Sequence, residues 1–123
     1  MNDYLLVFVG GGLGSMARFA LSRFNALGST PLPAGTLAAN ILSSCILGLV
    51  VGLVSARSHI SPSVRVFFAV GFCGGFSTFS TFSFETFYFL KTGQPGYALL
   101  NILLSVLGCL GGVYAGFTLQ KYT

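Results

Sequence analysis

The 123-residue chain is 54% hydrophobic and only 7% charged, with a mean hydropathy of +0.86. A water-facing surface needs about a quarter of its residues charged, which excludes a soluble domain. The net charge of +4 comes from bases that stand singly at predicted helix ends (Arg18, Arg23, Arg57, Arg65, Lys91 and Lys121), a pattern of headgroup anchors and not of a nucleic-acid surface.

A bilayer core takes about 20 apolar residues per helix, so the length fits four helices, short connectors and one transmembrane domain, 1–123. The first span is expected from about residue 4 to 27. No basic region precedes its apolar run, so it reads as a retained span and not a cleaved signal peptide. Gly28 to Pro33 is a turn, and the second span covers about 34–56. Arg57-Ser58-His59-Ile60-Ser61-Pro62 is a polar connector whose proline suits a helix start. The third span covers about 63–91, Thr92 to Gly96 is a turn, and the fourth span covers about 97–120.

Glycines recur at four-residue spacing: Gly10/Gly14, Gly48/Gly52, Gly71/Gly75 and Gly108/Gly112/Gly116. Such faces let membrane helices pack closely. Four short helices have little room to enclose a polar path alone, so a homo-oligomer is expected. Arg57, Arg65 and Lys121 fall on one side of the membrane, and Arg18, Arg23 and Lys91 on the other. This even split assigns no orientation by the positive-inside rule. Either another determinant orients the chain, or it inserts both ways and pairs as an antiparallel dimer. Cys45, Cys73 and Cys109 lie in apolar runs without a Cys-x-x-Cys, so they read as small hydrophobes.

The third span is too polar for its depth. Its centre reads Gly71-Phe72-Cys73-Gly74-Gly75-Phe76-Ser77-Thr78-Phe79-Ser80-Thr81-Phe82-Ser83-Phe84-Glu85. The glycine pair weakens the helix, and a break is expected near Gly74–Ser77. Non-helical backbone at that depth is buried in protein or lines a cavity. Its carbonyls are hard ligands for a cation, and its amides open the following half-helix. Phe76, Phe79 and Phe82, at i, i+3 and i+6, are expected near one face, with Thr78 and Thr81 on the neighbouring one. Ring edges are positive, so rings flanking hydroxyls replace part of the water around a small hard anion.

Asn40, inside the second span, admits two readings: an anion donor or an interhelical clamp. Glu85 is the one acid within a span and must be paired, protonated or near water. Arg18 pairs with it or reaches a headgroup; a structural or vestibule role is preferred. Ser105 and Cys109, at i and i+4 of the fourth span, either extend the polar line or pack. No metal cluster is expected around the single His59, the chain offers no nucleophile–base–acid set, and Gly10-Gly11-Gly12-Leu13-Gly14 follows no strand, so neither an enzyme nor a nucleotide site is expected.

Three runs, Gly10-Gly11-Gly12-Leu13-Gly14-Ser15-Met16-Ala17-Arg18-Phe19, Gly35-Thr36-Leu37-Ala38-Ala39-Asn40 and Gly71 to Glu85, together resemble the Fluc/CrcB fluoride channels over nearly the whole chain. Ser77 stands where that family usually has threonine. The resemblance implies an all-α integral membrane protein, a dual-topology homodimer of antiparallel four-helix subunits. It implies two fluoride pores along the subunit interface and passive export of fluoride from the cytoplasm, where entry of the weak acid HF accumulates it. The setting would be a lipid bilayer, the plasma or inner membrane of a bacterium. Phe79 and Phe82 match the aromatic pair, Asn40 the pore asparagine, and Ser80 and Thr81 the hydroxyl track, with Glu85 further along. Ser105 and Cys109 align with its continuation, where a thiol would be the weaker donor. Gly74 and Ser77 match the positions whose carbonyls, from both subunits, hold a central structural Na⁺. Arg18 matches the family's first-helix arginine. Against this stand a small dual-topology multidrug/proton antiporter, whose pocket is commonly rich in Trp and Tyr whereas this chain has no Trp, and a non-transporting assembly subunit, for which the hydroxyl tract is unneeded.

Overall fold

The computed structural model describes residues 2–57 and 59–123; Ser58 of the polar connector lies outside the described residues. Helix α1, Asp3–Ser22, starts where the Asn2 side chain accepts from the Tyr4 amide at 2.9 Å, which satisfies one of the orphan donors of a helix start. A 3₁₀ turn, Arg23–Leu27, follows it. Helix α2 is Ala34–Ala56. Helix α3, Pro62–Arg65, opens with proline behind a Ser61 cap and runs through a π-helical stretch, Val66–Phe72, into α4, Cys73–Phe76.

Ser77 (φ −80°, ψ 156°) and Thr78 (φ −150°, ψ 120°) are extended, and α5, Phe79–Lys91, follows them. Of the stretch Gly74–Ser77 where a break is expected, Gly74 to Phe76 are helical and only Ser77 is extended, with Thr78 after it. Gly75 is there for packing: a Cβ on it would collide with the Gly11 carbonyl. At the end of α5, Gly93 takes a positive φ of 75°. Its amide reaches Leu90 O at 3.2 Å and that of Gln94 reaches Phe89 O at 2.7 Å, which closes the helix and turns the chain into α6, Pro95–Leu119.

Among the described residues, four segments are long and apolar enough to cross a membrane: Asp3–Asn25, Ala34–Ala56, Pro62–Lys91 and Pro95–Tyr122. The glycine faces decide how they pair. A Cβ on Gly10 would lie 2.6 Å from Phe67 O, and one on Gly14 would strike Phe72 O, so α1 crosses the Val66–Phe76 stretch at backbone contact. In the same way Gly48 meets Val113 and Gly116 meets Cys45, which locks α2 to α6. Helix α5 packs mainly on α6. Each span buries only 17–22% of its apolar window within the chain, so lipid or another chain must cover most of its surface.

Candidate functional site

The site is organised by a polar seam between α2 and the third span. Thr36, Asn40 and Ser43 stand at i, i+4 and i+7, one face of α2. They meet the third span at Glu85, Thr78 and Cys73, in the reverse order expected of antiparallel neighbours. Thr36 Oγ1 donates to Glu85 Oε1 at 2.7 Å, and Ser43 Oγ donates to Cys73 O at 3.0 Å.

Between them, Asn40 takes both backbone groups of Thr78. Its Nδ2 donates to Thr78 O at 3.1 Å, and its Oδ1 accepts from Thr78 N at 2.7 Å. Of the two readings of Asn40, the clamp is the one with a partner in hand. Its effect is local: the Thr78 amide, which in a continued helix would close on the Gly74 carbonyl, is diverted to a side chain. Neighbouring carbonyls have other partners. Cys73 O accepts from Ser43 Oγ, Ser77 Oγ (2.8 Å) and Ser77 N (3.0 Å). Gly75 O accepts from Arg18 Nε at 3.0 Å and Ser15 Oγ at 3.4 Å. Arg18 therefore meets the end of α4 and not Glu85.

Thr78 also starts α5. Its Oγ1 accepts from the Thr81 amide at 3.2 Å, donates to Thr81 Oγ1 at 3.1 Å and lies 3.3 Å from Ser80 Oγ. Of the five hydroxyls from Ser77 to Ser83, only that of Ser77 back-bonds to the preceding turn. The others are not consumed by helix capping alone.

A cleft of about 270 Å³ opens beside this junction, walled by Asn40, Thr78, Phe79, Phe82 and Ser105, with Ser44, Ser77 and Cys109 also on it. The Phe79 and Phe82 rings lie 5.6 Å apart at 43°, and Phe79 is 79% exposed. Phe76 does not join them. It is buried and pairs with Phe72 at 5.3 Å, because the extended residues Ser77 and Thr78 break the helical count between 76 and 79.

Not every expected site residue lies on this wall. Ser80 and Thr81, on the first turn of α5, do not line it. Glu85 lines a separate cleft of about 280 Å³ with Pro31, Pro33, Phe84, Tyr88 and Gln94; its Oε2 is buried without a hydrogen bond. Gly74 and Ser77 share a third cleft, of about 220 Å³, with Ser43 and Ser44. Four polar residues escaped the sequence reading: Thr36, Ser43, Thr86 and Asn101. The α2 pair was legible from its spacing, four residues before and three residues after Asn40, and Asn101 from its place four residues before Ser105.

The family model described as CrcB-like protein, Camphor Resistance (CrcB), matches residues 5–117. Proteins named fluoride-specific ion channel FluC from Salmonella arizonae, Salmonella paratyphi B and Salmonella newport are each 49% identical over 105 residues, covering 85% of this chain and 82% of theirs.

Proposed function

Since the chain belongs to the CrcB family and is a multi-pass membrane protein, we propose that it is a fluoride-selective ion channel that lets fluoride leave the cytoplasm passively and so limits its toxicity. One observation carries this reading: the cleft where the Asn40–Thr78 clamp, the Phe79–Phe82 ring pair and Ser105 meet. Fluoride holds its water tightly, so its path must offer several donors without binding the ion too strongly to release it. Tilted ring edges supply weak positive potential, and the hydroxyls of Thr78 and Ser105 on the wall supply donors that reorient, with Ser80 and Thr81 linked to them through Thr78. The N-terminus of α5 adds the positive end of a 13-residue helix. Glu85 stands farther along α5, where the hydroxyl track would lead toward its own cleft.

The exposed Phe79 ring needs a second wall. An antiparallel homodimer supplies one, and its two-fold axis repeats the cleft, giving two pores along the interface. The even split of basic residues permits the dual topology that such a dimer requires. The same reading puts a structural Na⁺ at the dimer centre, on the carbonyls of Gly74 and Ser77 from both subunits. The residues fit such an ion: the helical donor to Gly74 O is diverted, the carbonyls on either side are engaged by Ser43, Ser77, Arg18 and Ser15, and carbonyl oxygens are hard ligands. When bound, the ion would supply positive charge beside the anion path.

Fluoride efflux from liposomes holding the pure protein, with chloride as control, tests the function. Rapid fluoride efflux with chloride retained is expected. Efflux that is absent for fluoride, or equally fast for chloride, overturns the reading.

A further inference from the structure

Asn101 is the one large side chain of α6 that is almost wholly buried, at 1% exposure, and it is polar. Its Nδ2 donates to Thr86 Oγ1 at 3.0 Å, and Thr86 Oγ1 donates in turn to Phe82 O at 2.8 Å. A buried amide in a membrane span finds a partner or carries a large desolvation cost. Here the partner lies one turn below an aromatic side chain of the cleft. Phe82 and Thr86 are i and i+4 on α5, and Asn101 and Ser105 are i and i+4 on α6. The Phe82–Ser105 wall of the cleft therefore rests directly on the Thr86–Asn101 bond.

The neighbouring residue is held from another direction. Glu85 is bound by Thr36 of α2, and Thr86 by Asn101 of α6. Successive helical residues point about 100° apart, since a turn holds about 3.6 residues. Two bonds at that angle, to two helices that are themselves locked by glycine contacts, oppose a roll of α5 about its axis in either direction. The need for such a device is plain in the chain path, because α5 is joined to α4 only through the extended Ser77 and Thr78.

We infer that Asn101 and Thr86 are positioning residues which, with Thr36 and Glu85, fix the roll of α5 and thereby hold the Phe82 ring in the cleft wall. This inference rests on the channel reading for its effect on flux, but its effect on ring position stands without it.

The test uses the full-length protein with 4-fluorophenylalanine at position 82, in fluoride-free buffer, read by ¹⁹F NMR. Thr86→Val and Asn101→Leu should each move the Phe82 resonance in the same sense. The double variant should resemble either single one, since the two act through one bond. Thr86→Ser keeps the hydroxyl and should leave the resonance in place. In liposomes, Thr86→Val should slow fluoride efflux about ten- to hundredfold, the scale of a displaced functional group, while Thr86→Ser stays near wild type. An unmoved resonance in Thr86→Val overturns the inference, as does an equal shift in Thr86→Ser. A wild-type protein that passes no fluoride sinks the channel reading alone, because the resonance still reports whether the bond sets the ring.

Discussion

Asn40 holds Thr78 by both backbone groups, through a donor at 3.1 Å and an acceptor at 2.7 Å, while the Thr78 hydroxyl caps the Thr81 amide. The Asn40 side chain thus holds Thr78 extended and releases the Gly74 carbonyl from its helical donor, while the Thr78 hydroxyl opens α5. Asn40→Leu, close in size, removes both bonds and leaves two part-buried backbone groups unpaired. Each such group costs about 1–3 kcal/mol, so a lower unfolding temperature in detergent is expected together with loss of fluoride efflux. Asn40→Asp keeps the acceptor only and should fall between.

Thr36→Val deletes the one hydrogen bond that the Glu85 carboxyl makes. An unpaired buried group of this kind costs about 1–3 kcal/mol, so stability should drop and fluoride efflux should slow. Thr36→Ser restores the donor and should recover both. Equal behaviour of the two variants in thermal unfolding would show that the bond has no weight.

Adjacent glycines should respond oppositely. A Cβ on Gly75 meets the Gly11 backbone, whereas one on Gly74 meets nothing within 4 Å in this chain. Gly75→Ala should cost about 1–3 kcal/mol by overpacking, seen as poor recovery of monodisperse protein. Gly74→Ala should leave the single chain folded. A loss of dimer or of Na⁺-dependent stability in Gly74→Ala would then report on the proposed interface alone.

Phe79→Ile should barely alter stability, because the ring is exposed in the single chain. Phe82→Ile loses more contact, as the ring is half-buried. Both should cut fluoride efflux strongly if ring edges face the anion, with chloride efflux still absent. Flux unchanged in both would remove the rings from the path.

Much of this was legible in the chain itself. Composition and glycine spacing identify four apolar helices and the faces on which they touch, because these depend on local pattern and on the absence of a side chain. The anomaly of Gly71–Glu85 was visible for the same reason: hydroxyls and a carboxyl do not belong at that depth without partners. Its internal geometry was less visible. Gly74-Gly75 looked like the weak point, but its second glycine is consumed by α1, and the extended backbone falls on Ser77 and Thr78. Phe76 looked like a third aligned ring, yet two extended residues put it out of phase with Phe79.

The sequence by itself determined that this is a membrane protein with one polar tract and close-packing glycine faces, since hydropathy and residue size are properties of each position alone. Only the tertiary structure decided the partners: Asn40 with Thr78, Thr36 with Glu85, Arg18 with Gly75, and Asn101 with Thr86. Those bonds join residues 15 to 57 positions apart. Which donor meets which acceptor depends on how α2, α6 and α1 cross the third span, and helix crossings are set by packing across the whole bundle.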